Sequence, residues 1–227
     1  MSTVEKVDRL DADQLQAALS STVISRKVIV LEQTDSTNDA ILQFASPQRA
    51  AVTNLPTVAS AKEGSPPFVD DGLVLFAEHQ TAGRGQRGNR WESAAGKGLW
   101  FSILLRPQIQ INESWRLTIW AIKAISEVIR AEFALDSTIK MPNDVQLHGR
   151  KVAGVLVEMR AQQKAPHIAV VGIGVNANQS DFPKELQNRA TSVAMTLGRR
   201  INRHEFALAL LRQLDRTYRE RFVRGAS

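Results

Sequence analysis

Short runs of β-branched and aromatic residues recur along the chain, separated by polar and glycine-rich stretches. The runs at 72–77 (GLVLFA) and 98–105 (GLWFSILL) are almost wholly apolar, which is typical of buried sheet strands. Further strands are predicted at 27–31, 138–141, 151–159 and 167–178. Pro142 ends one of these runs, so Asn143 and Asp144 are expected in a turn or an irregular edge. His148 and Gly149 predict a hairpin turn that leads into the strand beginning at Lys151.

Other segments repeat apolar residues at helical spacing. Residues 11–19 (DADQLQAAL) predict a short helix that starts near Asp11 or Asp13. Asn112 is placed to cap a long core helix, and the apolar positions of that helix are Trp115, Ile119, Ile122, Ile125, Ile129 and Phe133. Asn202 and Glu205 form a capping pair for a closing helix with its apolar residues four apart.

Ser36 begins one more helix, directly after the strand at 27–31 and three residues before Asp39. The simplest interpretation of Ser36, Thr37 and Asn38 is a plain helix cap. The functional interpretation is that three small polar groups at a helix N-terminus form a pocket for the polar end of a ligand. The residues alone leave both open.

The stretch 78–100 (EHQTAGRGQRGNRWESAAGKGLW) carries five glycines, three arginines and one lysine between two predicted strands. Glycine at 83, 85 and 88 allows positive φ and close approach to a ligand, while arginine at 84, 87 and 90 suits carboxylate or phosphate. These features predict a loop that binds an anion; the alternative is a solvated surface loop. It is not a Walker A loop, because no Gly-Lys-Ser/Thr follows. Gly172 and Gly174, inside a later strand, indicate that a ligand or backbone comes close there.

Composition limits the number of domains, the partners and the reaction types that the chain can have. With 227 residues, of which 43% are hydrophobic, the chain is expected to form one domain over 1–227, with an irregular insertion at 46–72. The net charge of +6 favours polyanionic partners, and the absence of cysteine excludes disulfides, cysteine-based zinc sites and thioester transfer. The scattered histidines predict no structural metal. A charged N-terminus and the lack of a run of about 20 apolar residues predict a soluble, cytoplasmic protein without membrane contact.

Five motifs in order, DSTND, EHQTAGRGQRGNRWES, KMPNDV, GRKVAGVLVE and VVGIGVNAN, resemble those of the biotin protein ligases, or biotin–[acetyl-CoA-carboxylase] ligases. The resemblance implies an α+β fold with a mixed sheet flanked by helices, related to class II aminoacyl-tRNA synthetases. It implies an enzyme that uses ATP, with Mg²⁺, to activate biotin as biotinyl-5′-AMP. The biotin then passes to a lysine of a biotin carboxyl carrier protein, whose acidic surface suits a basic ligase. The resemblance leaves open a monomer or a homodimer.

Motif positions also imply roles for individual residues. Lys151 and Arg84 would face the carboxylate and the α-phosphate as the catalytic cations. Asp144 would contact Mg²⁺. The implied biotin-binding residues are Ser36, Thr37, Asn38, Gln80, Gly83, Arg84, Gly85, Gln86, Lys151 and Gly154. The implied ATP-binding residues are Arg87, Trp91, Asn143, Lys151 and Asn176.

The chain departs from the family pattern in several places. Gln86 and Asn89 stand where arginines are common, and Met141 replaces the usual tryptophan. A helix-turn-helix domain before Lys27 and an SH3-like barrel after Arg224 are not expected, so no sequence-specific DNA binding is predicted. The alternatives are a lipoate or octanoate ligase of the same fold, whose signature is missing, and a degenerate biotin-binding or basic nucleic-acid-binding protein without catalysis.

Overall fold

The computed structural model describes residues 8–19, 23–45, 71–163 and 166–223. Most of the stretch 46–72 therefore lies outside the described residues. Seven strands form one sheet in the described part of the chain: β1 (Lys27–Thr34), β2 (Leu73–Gln80), β3 (Gly98–Leu105), β4 (Thr138–Lys140), β5 (Asp144–Leu147), β6 (Arg150–Arg160) and β7 (Ile168–Asn176). Their order across the sheet is β1-β2-β3-β7-β6-β5-β4. β1 and β2 are parallel, and the other neighbouring pairs are antiparallel.

Helices flank this mixed sheet, which confirms the predicted α+β class. They are α1 (Ala12–Ala18), α2 (Thr37–Phe44), α3 (Trp115–Phe133), α4 (Val193–Leu197) and α5 (Arg203–Tyr218). Short 3-10 turns lie at Gln86–Gly88 and Ile111–Glu113, and a π-helical turn follows α5 at Arg219–Val223.

The two faces of the sheet are covered unequally. On one face, side chains such as Phe76, Phe101 and Val171 pack in the main core with helices α3 and α5. Each such buried side chain contributes roughly 1.5–3 kcal/mol. On the other face, α2 is the one described helix that packs, against a small cluster that includes Leu104 and Val170. Because side chains alternate along a strand, Ser102 and Gly172 continue this second face under the N-terminal turn of α2, where Ser102 is fully buried. This end of the face forms the floor of the functional site.

Most predicted elements are confirmed. The run 98–105 is β3 without change of bounds. Asp11 caps α1 by accepting from Gln14 N, and Asn202 caps α5 by accepting from His204 N and Glu205 N. The hairpin turn at 148–149 joins β5 to β6. Helix α4 was not predicted, since its five residues are too few to show a period.

Three local predictions are wrong. Ser114, not Asn112, holds the N-cap position of α3, because a separate 3-10 turn takes up 111–113. Trp115 is 60% exposed rather than in the core, since it is the first helical residue and the buried face begins at Leu117. Asn143 lies in a turn as predicted, but Asp144 already belongs to β5 and pairs with Lys140 across the β4–β5 hairpin.

Candidate functional site

A cleft opens on the α2 side of the sheet, between the N-terminus of α2, the loop that follows β2, and strands β6 and β7. Ten of the predicted site residues line it together: Ser36, Thr37, Asn38, Gln80, Arg84, Gly85, Trp91, Asn143, Lys151 and Gly154. Val155, Leu156, Gly172, Ile173 and Gly174 complete the lining. The parallel pairing of β1 and β2 brings their carboxyl ends side by side, with Thr34 opposite Gln80, and so delivers the α2 N-terminus and Gln80 to one place.

A buried hydrogen-bond network forms the inner end of the cleft. Gln80 Oε1 accepts from Thr37 N at 2.9 Å and from Thr37 Oγ1 at 3.2 Å, while Gln80 Nε2 donates to Ser93 Oγ at 3.0 Å. Ser102 Oγ donates to Asn38 Oδ1 at 2.6 Å and lies 2.8 Å from Thr37 Oγ1. These contacts fix the orientation of both carboxamides, so the pocket presents defined donors and acceptors to a ligand.

Ser36 shows how the two interpretations of the α2 cap combine. It occupies the N-cap position with extended backbone, but its side chain makes no capping hydrogen bond. Its residue is 4% exposed and lines the cleft. The hydroxyl group is therefore not used by the helix and remains next to the site.

Three glycines in β6 and β7 make room for side chains. A Cβ on Gly172 would lie 2.3 Å from Asn38 Oδ1, and one on Gly174 would lie 2.5 Å from the Trp91 ring. Gly154 is directly opposite Gly174 in the sheet, and its Cβ would lie 2.9 Å from the same ring. The predicted close approach at Gly172 and Gly174 therefore comes from side chains of this chain, since no ligand is needed to explain it.

Two cations reach the cleft, and each is paired with carboxylates. Lys151 Nζ lies 2.7 Å from Asp144 Oδ1 and 5.0 Å from the centre of the Trp91 ring. Arg84 Nη2 lies 2.9 Å from Asp39 Oδ1 and 2.9 Å from Glu158 Oε2. Both pairs are partly exposed, so they hold the cations in place at small net energy and can be exchanged for a ligand.

The loop itself is a small hairpin rather than an open coil. Arg84 and Arg90 form an isolated bridge, Gly85 N donates to Asn89 O at 2.7 Å, and Trp91 N donates to Gly83 O at 2.8 Å. The predicted reason for the glycines is only partly right. Positive φ occurs at Gly88 (75°) and, unexpectedly, at Arg87 (57°). Gly83 is instead required by proximity, because a Cβ there would lie 2.6 Å from Trp91 O.

Five predicted site residues lie outside the lining of the cleft. Gly83, Gln86 and Arg87 belong to the loop, and Asp144 reaches the site through its ion pair with Lys151. Asn176 is buried, donates to Thr191 O at 3.0 Å, and accepts from Gln179 Nε2 at 3.0 Å. Its carboxamide thus ties the end of β7 to the segment before α4, and its proposed contact with nucleotide stays a prediction.

Four polar residues of the site were not among the predicted ones: Ser93, Ser102, Asp39 and Glu158. Ser102 could have been noticed in the sequence, since it is the single polar residue in the apolar run of β3. Glu158 could also have been noticed, because it follows Gly154 by four positions and therefore lies on the same face of β6. Neither signal shows which partner the residue meets across the sheet.

The residues in the described ranges contain no group of three or more histidine or acidic side chains that could hold a metal ion. In the described part of the chain, Asp144 is the acidic residue paired with Lys151, and it offers carboxylate oxygens there. Such a donor set fits Mg²⁺ only if substrate phosphates supply further oxygens, which is the usual arrangement for this ion.

Comparisons with known proteins show the family of the chain. Residues 49–176 match the Biotin/lipoate A/B protein ligase family, over more than half of the chain. The chain belongs to this family. A bifunctional ligase/repressor BirA from Bacillus spizizenii is 30% identical over 224 residues, which is 98% of this chain and 63% of that relative. A biotin–[acetyl-CoA-carboxylase] ligase from Mycobacterium tuberculosis is 34% identical over 167 residues, which is 72% of this chain and 59% of the relative.

Solved structures give the same result. The biotin protein ligase from Aquifex aeolicus in complex with biotin and ATP superposes with a TM-score of 0.65 at 29% identity, over 86% of this chain and 72% of that one. The chain thus spans about three fifths of the length of the curated relatives it matches. No helix in the described ranges is both long and apolar enough to cross a membrane.

Proposed function

We propose that this chain is a catalytic unit of an ATP-dependent biotin ligase, which activates biotin as biotinyl-5′-AMP and transfers it to a lysine of a biotin carboxyl carrier protein. The observation that carries the proposal is a buried network of amides and hydroxyls in a cleft that is also lined by two cations, Arg84 and Lys151. Biotin has a ureido ring at one end and a carboxylate at the other. A buried ureido group needs a partner for each polar atom, and Ser36, Thr37, Asn38 and Gln80 are arranged to supply them.

In the first step, an oxygen of the biotin carboxylate attacks the α-phosphorus of ATP. The bond from that phosphorus to the bridging oxygen breaks, and pyrophosphate leaves. Negative charge collects on phosphate and carboxylate oxygens, and Arg84 and Lys151 are the cleft cations that can stabilise it. Asp144 is the residue that would hold Mg²⁺, and the ion would supply neutralisation of part of the phosphate charge.

In the second step, the amine nitrogen of the acceptor lysine attacks the acyl carbon of the mixed anhydride. The acyl–oxygen bond breaks, AMP leaves, and the amine loses a proton. The sequence contains no cysteine, so this transfer cannot pass through a cysteine thioester of the chain. Trp91 covers Gly154 and Gly174, and in this proposal it excludes water from the anhydride and offers a face to adenine. Asn143 donates Nδ2 to Val155 O, which leaves its Oδ1 for a nucleotide.

The test is isotope exchange between ATP and pyrophosphate with biotin, lipoate and octanoate as separate acids. We expect exchange with biotin and none above background with the other two, followed by biotin transfer to a carrier domain. Exchange driven by lipoate or octanoate instead would assign the chain to the other branch of the family. Binding of biotin without any exchange would show that the chain binds biotin but does not activate it.

A further inference from the structure

Two carboxylates compete for one nitrogen of Arg84. Its Nη2 donates to Asp39 Oδ1 at 2.9 Å, to Glu158 Oε2 at 2.9 Å and to Glu158 Oε1 at 3.2 Å. Asp39 lies in the first turn of α2, and Glu158 lies on β6, so the two acids approach Arg84 from different elements. A single positive charge is therefore opposed by two negative charges at the mouth of the cleft.

The geometry of the guanidinium group prevents Arg84 from binding a ligand anion at two points while both carboxylates are in place. Arginine grips an anion with two parallel hydrogen bonds only through Nη2 paired with Nη1 or with Nε, because Cδ blocks the remaining edge. Within the described residues, every hydrogen bond of Arg84 uses Nη2. A ligand carboxylate or phosphate can therefore be gripped at two points only after Nη2 releases at least one protein carboxylate.

The two acids differ in what else they bind. Glu158 Oε2 also accepts from Asn38 Nδ2 at 2.6 Å, while Asn38 Oδ1 accepts from Ser102. A carboxylate can only accept, so Glu158 forces the amide nitrogen of Asn38 toward itself and the amide oxygen toward Ser102. Among the described contacts, Asp39 bonds only to Arg84 in this cluster. Glu158 thus links Arg84, the proposed anion-binding residue, to Asn38, one of the residues proposed to bind the ureido ring. Asp39 makes no such link.

We propose that Asp39 and Glu158 are opposed counter-ions of Arg84. Asp39 competes with the anionic group of the ligand and lowers its affinity. Glu158 is a positioning residue that holds Arg84 and Asn38 together and so raises affinity for the whole ligand. The inference rests on the proposed function, because it takes biotin as the ligand whose carboxylate reaches Arg84.

The experiment compares biotin with its uncharged methyl ester by titration calorimetry. In Asp39→Asn, the Kd for biotin should fall roughly fivefold, which is the worth of one exposed ion pair of about 1 kcal/mol, while the Kd for the ester stays unchanged. In Glu158→Gln, the ester should bind roughly tenfold more weakly, because one charge-assisted hydrogen bond to Asn38 is lost, and biotin should be weakened less, because the same change removes a carboxylate from Arg84. If Glu158→Gln does not fold, the shorter Glu158→Asp replaces it, and the ester should again bind more weakly.

Two controls isolate the contacts. Asp35→Asn removes the same charge near the same helix end, but Asp35 accepts from Thr81 Oγ1 rather than from Arg84, so neither Kd should change. In an Arg84→Gln background, Asp39→Asn should have no effect on biotin.

Each result decides something. Weaker biotin binding by Asp39→Asn, or equal shifts for biotin and ester, would show that Asp39 is not a competitor. Loss of biotin binding alone in Glu158→Gln would show that Glu158 does not act through Asn38. Failure of the unmodified chain to bind biotin overturns the proposed function itself, whereas tight biotin binding with the wrong variant pattern overturns only this inference.

Discussion

Replacing Gly172 by alanine tests the inner end of the cleft. The new Cβ would lie 2.3 Å from Asn38 Oδ1 and 3.0 Å from Asn38 Cγ, where ordinary contacts begin at 3.4 Å. Gly172 lies in the middle of β7, hydrogen-bonded between β3 and β6, so its backbone cannot retreat easily. The carboxamide of Asn38 must move instead, by about 1 Å.

That movement breaks two short hydrogen bonds, from Ser102 Oγ to Asn38 Oδ1 and from Asn38 Nδ2 to Glu158 Oε2, both at 2.6 Å. The first is buried and neutral, worth about 1 kcal/mol, and the second involves a charged but partly exposed acid, worth about 1.5 kcal/mol. We therefore expect Gly172→Ala to lower the free energy of unfolding by about 2–3 kcal/mol. Urea unfolding measures it, with an unchanged slope against urea showing that stability alone has changed.

A double-mutant cycle identifies the cause. In an Asn38→Ala background both hydrogen bonds are already absent and the space is open, so Gly172→Ala should change stability by less than about 0.5 kcal/mol. An equal loss of 2–3 kcal/mol in both backgrounds would refute the reasoning, since the Cβ would then meet something other than Asn38.

Three further predictions concern other residues. Lys151→Ala should slow biotin-dependent pyrophosphate exchange by several factors of ten, each worth about 1.4 kcal/mol, because it removes a charge from the cleft; exchange at the unmodified rate contradicts the assignment. Gln86→Arg should slow release of labelled biotinyl-AMP, since an arginine in the loop adds a charge for the phosphate; unaltered or faster release counts against it. Burial raises the pKa of the Asp71 carboxyl, although Arg106 N and nearby arginines oppose the shift. The stability that this raised pKa confers is present below about pH 3.9, the pKa of an unfolded Asp, and is lost as pH rises through the raised pKa of the folded state. Asp71→Asn should therefore flatten the dependence of the unfolding free energy on pH between these two pKa values. Parallel curves of unfolding free energy against pH for the variant and the unmodified chain would contradict this.

The sequence was sufficient where local chemistry decides the structure. The apolar runs on either side of the loop could only be strands, and β3 has the predicted bounds. The small polar residues after β1 and the lysine near the start of β6 were recognisable from their motifs. Because β1 and β2 are parallel and β6 and β7 are antiparallel, these distant motifs meet at one cleft, as the resemblance implied.

What the sequence could not supply is strand register. Ser102 meets Asn38 because β3 places it opposite Gly172, and a shift of one residue would turn it to the other face of the sheet. Glu158 meets Arg84 only because the loop folds back over the end of β6. The prediction that Trp115 lies in the core is wrong for a related reason. The helical period gives the spacing of the apolar residues but not the residue at which the helix first reaches the sheet.

The charges in the cleft show why ligand binding is an exchange. Arg84 and Lys151 are opposed by Asp39, Glu158 and Asp144, so three carboxylates face two cations before any ligand enters. These five groups alone offer an anionic ligand no net electrostatic attraction. If biotin binds as proposed, its affinity is expected to come from the neutral hydrogen-bond network around Gln80 and Asn38 rather than from net charge. A triphosphate would bring a larger charge than a carboxylate, so we expect the arginines of the loop, and Mg²⁺ if it binds, to contribute more to ATP binding than to biotin binding.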